Sequence, residues 1–228
     1  YIEGTEFDIE EAKEIVDSGI PMPRRDEDSH DILGTFKILS NRSEMMRVPT
    51  SPEELLTILS HRHTILLEGR PHMNPGVLKT RNNRAGQTEF VDYQLVKGTL
   101  SQGFKYYSAL TDPFARAIFM MFMISEVHPF NDGNGRIARV MMNAEFVRAD
   151  QSRIIVPTVF REDYILALRK LTRHKDPMAY INVMTKLHQF SDNLYGTDFT
   201  QLKDYLAACN AYEEPSQAKL QIIDRTFL

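Results

Sequence analysis

The run from Phe114 to Val127 constrains this chain most, because it is almost uninterrupted apolar sequence centred on Ile118-Phe119-Met120-Met121-Phe122-Met123-Ile124. Such a run reads as a buried helix. It ends at His128-Pro129-Phe130-Asn131-Asp132-Gly133-Asn134-Gly135-Arg136-Ile137-Ala138-Arg139. Beyond that stretch, Ile137, Val140, Met141, Ala144 and Val147 recur at helical spacing. The chain therefore turns in a tight loop that feeds the N-terminus of a second helix. There, unpaired backbone N–H groups and the positive end of the helix dipole face outward.

The residues of that loop describe a polyphosphate site. Gly133 and Gly135 let successive N–H groups point into one concavity, an anion nest at a helix N-terminus. Arg136 and Arg139, three residues apart, project from neighbouring positions and can clamp phosphate oxygens as planar charged donors. Asp132 beside such a site is a natural ligand for Mg²⁺, which takes one or two carboxylates together with phosphates and waters. His128 can accept a proton near neutral pH, and Phe130 anchors the loop in the core. A Rossmann or P-loop site is disfavoured: no strand-like run precedes Gly133-Asn134-Gly135, and no Gly-Lys-Ser/Thr ending follows.

The stretch His128 to Arg139 matches every specified position of His-Pro-Phe-x-Asp-Gly-Asn-Gly-Arg-x-x-Arg, and so resembles the signature of Fic domains. The resemblance implies transfer of AMP from ATP to a Ser, Thr or Tyr hydroxyl of a target protein. His128 is then the base and Asp132 the Mg²⁺ ligand. Gly133, Asn134 and Gly135 form the anion hole, and Arg136 and Arg139 contact the outer phosphates. The Doc branch of the superfamily, which moves the γ-phosphate, typically has lysine where this chain has Gly135, so nucleotidyl transfer is the better match. Another nucleotide donor, removal of AMP from targets, or an ATP-binding regulatory module without catalysis would use the same loop.

Taken alone, Glu3 is a surface glutamate; Ile2-Glu3-Gly4 resembles the family's inhibitory motif Ser/Thr-x-x-Ile-Glu-Gly/Asn. That resemblance implies a Glu3–Arg139 pair that blocks productive γ-phosphate binding. Thr5-Glu6-Phe7-Asp8 reads as a capping box ahead of a short helix stopped by Pro21-Met22-Pro23. The absence of an initiator Met suggests a piece of a longer protein.

The rest reads as an all-α fold with one small β-hairpin. Arg24 to Asp31 is expected to be a solvated loop leading onto a helix from Ile32 to Leu39. Ser51-Pro52-Glu53-Glu54 starts a helix that runs to about Glu68, and His61 and His63, two apart, are expected on different faces as surface or interface residues. Val77 to Arg81 and Gln87 to Val91 read as strands about an Asn- and Gly-rich turn. By resemblance this hairpin is the target-docking flap, with Val77, Leu78, Lys79, Thr80 and Arg81 offering a strand edge to an extended target segment. Asp92 caps a helix to about Tyr107. Val156 to Tyr164 is similar to the family segment that approaches adenine, which makes Tyr164 the candidate base contact. Further helices follow from Asp176-Pro177 to about Phe190 and from Phe199 to Ala211. The expected divisions are residues 1–20, carrying the end of the inhibitory helix and the short helix, a catalytic domain over 21–192, and a C-terminal helical extension over 193–228.

Composition narrows the partners. With 42% hydrophobic and 25% charged residues the chain is not a disordered one. A net charge of −4 and no dense Lys/Arg run argue against nucleic acid as a partner of this chain. Cys209 stands alone, no apolar run reaches membrane-spanning length and no signal peptide is visible, so a cytoplasmic location is expected. Self-modification and a homodimer are compatible with this reading.

Overall fold

In the computed structural model, which describes residues 7–86 and 88–225, the apolar run forms helix α6, Pro113–Val127. Asp112 caps it by accepting from the Ala115 N–H, and Pro113 fills the first turn where no N–H partner is needed. The chain turns at His128 in the left-handed conformation, φ 49°, and re-enters a helix at Asn134. That helix, α7 (Asn134–Arg148), packs along α6 and is buried nearly all round: Ile137, Met141, Met142 and Phe146 are at most 1% exposed. Fully burying side chains of this size contributes about 1.5–3 kcal/mol each, which makes the α6–α7 pair the centre of the fold.

The described residues divide into two compact units between Gln151 and Ser152, within the span 21–192 expected to hold the catalytic domain. In the first unit, α2 (Asp26–Ser40), α3 (Arg42–Met45), α4 (Pro52–Leu66) and α5 (Val96–Ala109) pack on α6 or α7, and α1 (Ile9–Ser18) packs on α2. Helix α4 starts as expected, with the Ser51 side chain accepting from the Glu54 N–H and Pro52 next. It buries Leu55, Ile58, Leu59, Arg62, His63 and Leu66, one stripe at helical spacing. Helix α2 crosses α4 at Gly34, where an added Cβ would sit 2.5 Å from the Ile65 carbonyl oxygen. The second unit is built on α8 (Arg161–His174), α9 (Pro177–Asp192) and α10 (Phe199–Ala208). Asp176 caps α9, whose Tyr180, Met184, Leu187 and Phe190 are buried, the Phe190 ring lying near that of Tyr205.

The fold class is the expected one, helical with a single two-stranded antiparallel hairpin among the described residues. Four local expectations are corrected. The capping box that starts α1 is Asp8 with Glu11, three residues beyond the one expected at Thr5, which lies outside the described residues. The stretch Arg24 to Asp31 is not a solvated loop: α2 already begins at Asp26, because acidic residues suit a first turn, and Asp31 is buried. The hairpin is shorter and later than expected. Arg84–Ala85 (β1) pairs with Thr88–Glu89 (β2) in the register Arg84↔Glu89 and Ala85↔Thr88, and Val77 to Arg81 lies outside the ladder. Asp92 caps a single 3₁₀ turn, Tyr93–Leu95, before α5 begins.

Candidate active site

The loop between α6 and α7 is braced from within. Asn134 is buried, and its side chain accepts from the Phe130 N–H at 2.9 Å and donates to the Phe130 carbonyl at 2.9 Å. Gly133 takes φ +70° with its Cα against Leu66 and Leu67, a conformation and a closeness that a Cβ would disturb. Helix α7 then starts with no side-chain cap. A helix N-terminus is where an anion site is built, because its first N–H groups have no partner within the helix. The sequence placed Asn134 in the anion hole. Its side chain is committed to holding the loop shut.

His63 holds the same loop from α4. It is fully buried, stacks on Phe130 with ring centroids 3.7 Å apart, accepts the Gly76 N–H at Nδ1 (2.9 Å) and lies 2.9 Å by Nε2 from the Asp132 carbonyl oxygen. Because Nδ1 accepts, Nε2 carries the proton and donates. Burial pushes this imidazole down to about 4, against the pull of the Asp132 carbonyl, so it is neutral at pH 7. The expectation of a surface or interface histidine is overturned. His63 falls on the same stripe as Leu55, Leu59 and Leu66, and that periodicity was the signal that could have found it.

His128 sits at the turn itself. Its Nδ1 lies 3.2 Å from the Ser125 carbonyl oxygen, and its ring stacks on Phe90 with centroids 3.6 Å apart. A proton on Nδ1, donated to that carbonyl, leaves the Nε2 lone pair open as an acceptor. Burial lowers this group too, to about 4, with the Lys79 charge adding to the effect and the Ser125 hydrogen bond opposing it. At neutral pH the ring is an uncharged base.

Asp132 and Arg136 meet across the loop: Arg136 Nη2 is 3.3 Å from Asp132 Oδ2, and Arg136 Nη1 is 2.5 Å from Asp31 Oδ2. Arg139 follows one turn on along α7, half-buried. Among the described residues no group of three or more His, Cys, Asp or Glu side chains converges as a metal cage. Asp132, with 37% of its side chain exposed, fits a single-carboxylate ligand that would share Mg²⁺ with nucleotide phosphates.

The segment leading to the hairpin is bolted to the loop. The Lys79 N–H donates to the Pro129 carbonyl at 2.8 Å, its buried ammonium donates to Asn83 (2.7 Å) and to the Val127 carbonyl (3.2 Å), and Asn83 donates to the Phe130 carbonyl at 2.9 Å. Lys79 thus faces the loop rather than solvent, unlike its expected place on a docking edge, whereas Val77, Thr80 and Arg81 are exposed and Leu78 is half-buried. Tyr164 lies in the second unit, buried in the first turn of α8. Glu3 lies outside the described residues. Sequence reasoning missed His63, Asn83 and Asp31.

Comparison with known proteins bears on this loop directly. The Fic/DOC family description matches residues 50–145, from the cap of α4 into α7. Protein adenylyltransferase fic-1 of Caenorhabditis elegans is 26% identical over 172 residues, which is 73% of this chain and 34% of that protein. A Fido domain-containing protein of Dictyostelium discoideum is 28% identical over 45% of this chain and 75% of its own length. Among solved structures, Fic-1 (residues 134–508) from C. elegans superposes with a TM-score of 0.69 at 20% identity, covering 92% of this chain and 60% of that one. A Fic domain containing signaling protein from Bacteroides thetaiotaomicron gives 0.68 at 16% identity, over 81% of this chain and 78% of that one. These likenesses establish the fold; this chain spans about a third of the length of the adenylyltransferases it matches.

Proposed function

We propose, from the match of residues 50–145 to the Fic/DOC family description, that this chain is a protein adenylyltransferase that moves AMP from ATP to a hydroxyl of a target protein. The observation that carries the reading is a neutral His128, with Nε2 open, at the head of a loop that ends in an uncapped helix N-terminus. The target hydroxyl oxygen bonds to the α-phosphorus while its proton passes to His128 Nε2. The bond from that phosphorus to the bridging oxygen breaks, and pyrophosphate leaves. The N–H groups at Gly133 to Gly135 hold the α- and β-phosphates, and Arg136 and Arg139 neutralise the outer ones. Asp132 would hold Mg²⁺, which supplies charge neutralisation at the phosphates when bound.

The target's extended segment docks along the exposed residues Val77, Thr80 and Arg81, with Leu78 beneath. Tyr164 contacts the adenine. The resemblance of Ile2-Glu3-Gly4 to the family's inhibitory motif supports Glu3 as an internal brake directed at Arg139.

The test uses the Glu3→Gly chain with Mg²⁺ and ATP labelled at the α- or the γ-phosphate, and Glu3→Gly/His128→Ala as control. Labelling from the α-position alone, lost in the control, is the expected result, with the Glu3→Gly chain labelling faster than the parent. Label from the γ-position alone would mean phosphotransfer and overturn the assignment. No labelling from either would leave a nucleotide-binding module or a different nucleotide.

A further inference from the structure

Arg136 is gripped by a carboxylate from a distant part of the chain. Asp31 of α2 is 3% exposed, and its Oδ2 lies 2.5 Å from Arg136 Nη1 and 2.8 Å from Arg70 Nη2. Arg70 also donates from Nε to both Asp31 oxygens, at 3.2 and 3.0 Å, and from its terminal nitrogens to Glu27 (3.0 Å) and Asp28 (2.7 Å). Every guanidinium nitrogen of Arg70 is therefore spent on acids of α2, which fixes the Asp31 carboxylate before it meets Arg136.

Had this network served only to tie Arg70 to α2, it would have no need of Arg136. Instead Asp31 takes one terminal nitrogen of Arg136, and the other reaches Asp132 at the loop. A long cationic side chain on a helix's first turn ordinarily loses rotamer freedom when it grips a ligand. One already held in place binds without that cost.

We propose that Asp31 is a positioning residue for the nucleotide site: its ion pair with one terminal nitrogen fixes the Arg136 guanidinium, whose other terminal nitrogen reaches Asp132 at the loop, where the outer phosphates of a nucleoside triphosphate bind. The inference rests on the phosphate-clamp reading of Arg136 given above, and the experiment separates the two.

Calorimetric titration of the Glu3→Gly chain with ATP and with AMP, both in Mg²⁺, is compared across Asp31→Asn, Arg136→Ala, their combination and Asp28→Asn. Asp31→Asn should weaken ATP roughly tenfold, in keeping with one charge-assisted contact, and leave AMP unchanged, since AMP lacks the outer phosphates. The combined variant should bind ATP no more weakly than Arg136→Ala, because Asp31 acts through that residue. Asp28→Asn, which disturbs the same acid cluster without touching Arg136, should bind ATP as the parent does.

Parental ATP affinity in Asp31→Asn, equal losses for ATP and AMP, or additive losses in the combined variant would each overturn the inference while leaving the clamp intact. Unchanged ATP affinity in Arg136→Ala, or no ATP binding by the Glu3→Gly chain, would remove the clamp reading and this inference with it. If Asp31→Asn fails to fold, Asp31→Glu keeps the charge on a longer arm and must show a smaller loss confined to ATP; without one, the inference fails.

Discussion

His63 and His128 are two buried imidazoles within one loop system, and burial holds both down to about 4. Unfolded, each would titrate near 6.5. Above that pH both are neutral in either state and leave stability unaffected. As pH falls from about 6.5 toward 4 the unfolded chain binds protons that the folded chain refuses, so stability falls, by up to about 1.4 kcal/mol per pH unit for each imidazole. Urea midpoints should be flat from pH 8 to 7 and drop steadily between pH 6 and 4.5. An unchanged midpoint across that interval would contradict the burial of these rings. Replacing His63 with Ala should cost about 2–3 kcal/mol, because it leaves the Gly76 N–H without its acceptor and unstacks Phe130; denaturation of the variant measures it. At this scale the sequence was legible wherever chemistry is contiguous, as from His128 to Arg139. It was illegible for Asp31 and Asn83, whose partners lie far along the chain: a charge pattern reveals a helix's first turn but not which guanidinium folds back onto it. His63 was readable in principle, since it shares a stripe with Leu55, Leu59 and Leu66, but weighing it against His61 alone hid that.

Helices were easier to read than the hairpin, for a physical reason. Caps such as Ser51 with Pro52 and Asp176 with Pro177 act within one turn, so local sequence determines them. Val77 to Arg81 has strand-like composition, yet its backbone goes to the motif loop through Lys79 and Pro129, a tertiary choice that alternation cannot anticipate. The contact between α2 and α4 is equally silent in sequence, because Gly34 looks like a weak point in a helix until the neighbouring carbonyls are seen. Gly34→Ala should therefore be destabilising despite its better helix propensity. Its Cβ would meet the Ile65 and Leu66 carbonyl oxygens at 2.5 and 2.9 Å, and backbone cannot step aside as a side chain can. The expected cost is about 1–3 kcal/mol, read from the denaturant midpoint; a variant as stable as the parent would mean that α2 and α4 do not touch there. Because α2 also carries Asp31, the surviving folded fraction should bind ATP more weakly while its affinity for AMP holds.

At the scale of the whole molecule, all the described contacts that brace the loop (Asn134, His63, Lys79, Asn83 and the Asp31–Arg136 pair) lie within the first unit. The second unit has its own buried cluster, with Phe190 fully buried and its ring 6.5 Å from that of Tyr205. Two cores of this kind predict two cooperative blocks of amide exchange rather than one. Phe190→Ala should cost about 3–5 kcal/mol where it acts. Amides of α8, α9 and α10 should then exchange far faster, while those of α6 and α7, packed around Met120, Ile124, Ile137 and Met141, should stay near their parental rates. Equal acceleration in both blocks would show that the chain opens as a single unit.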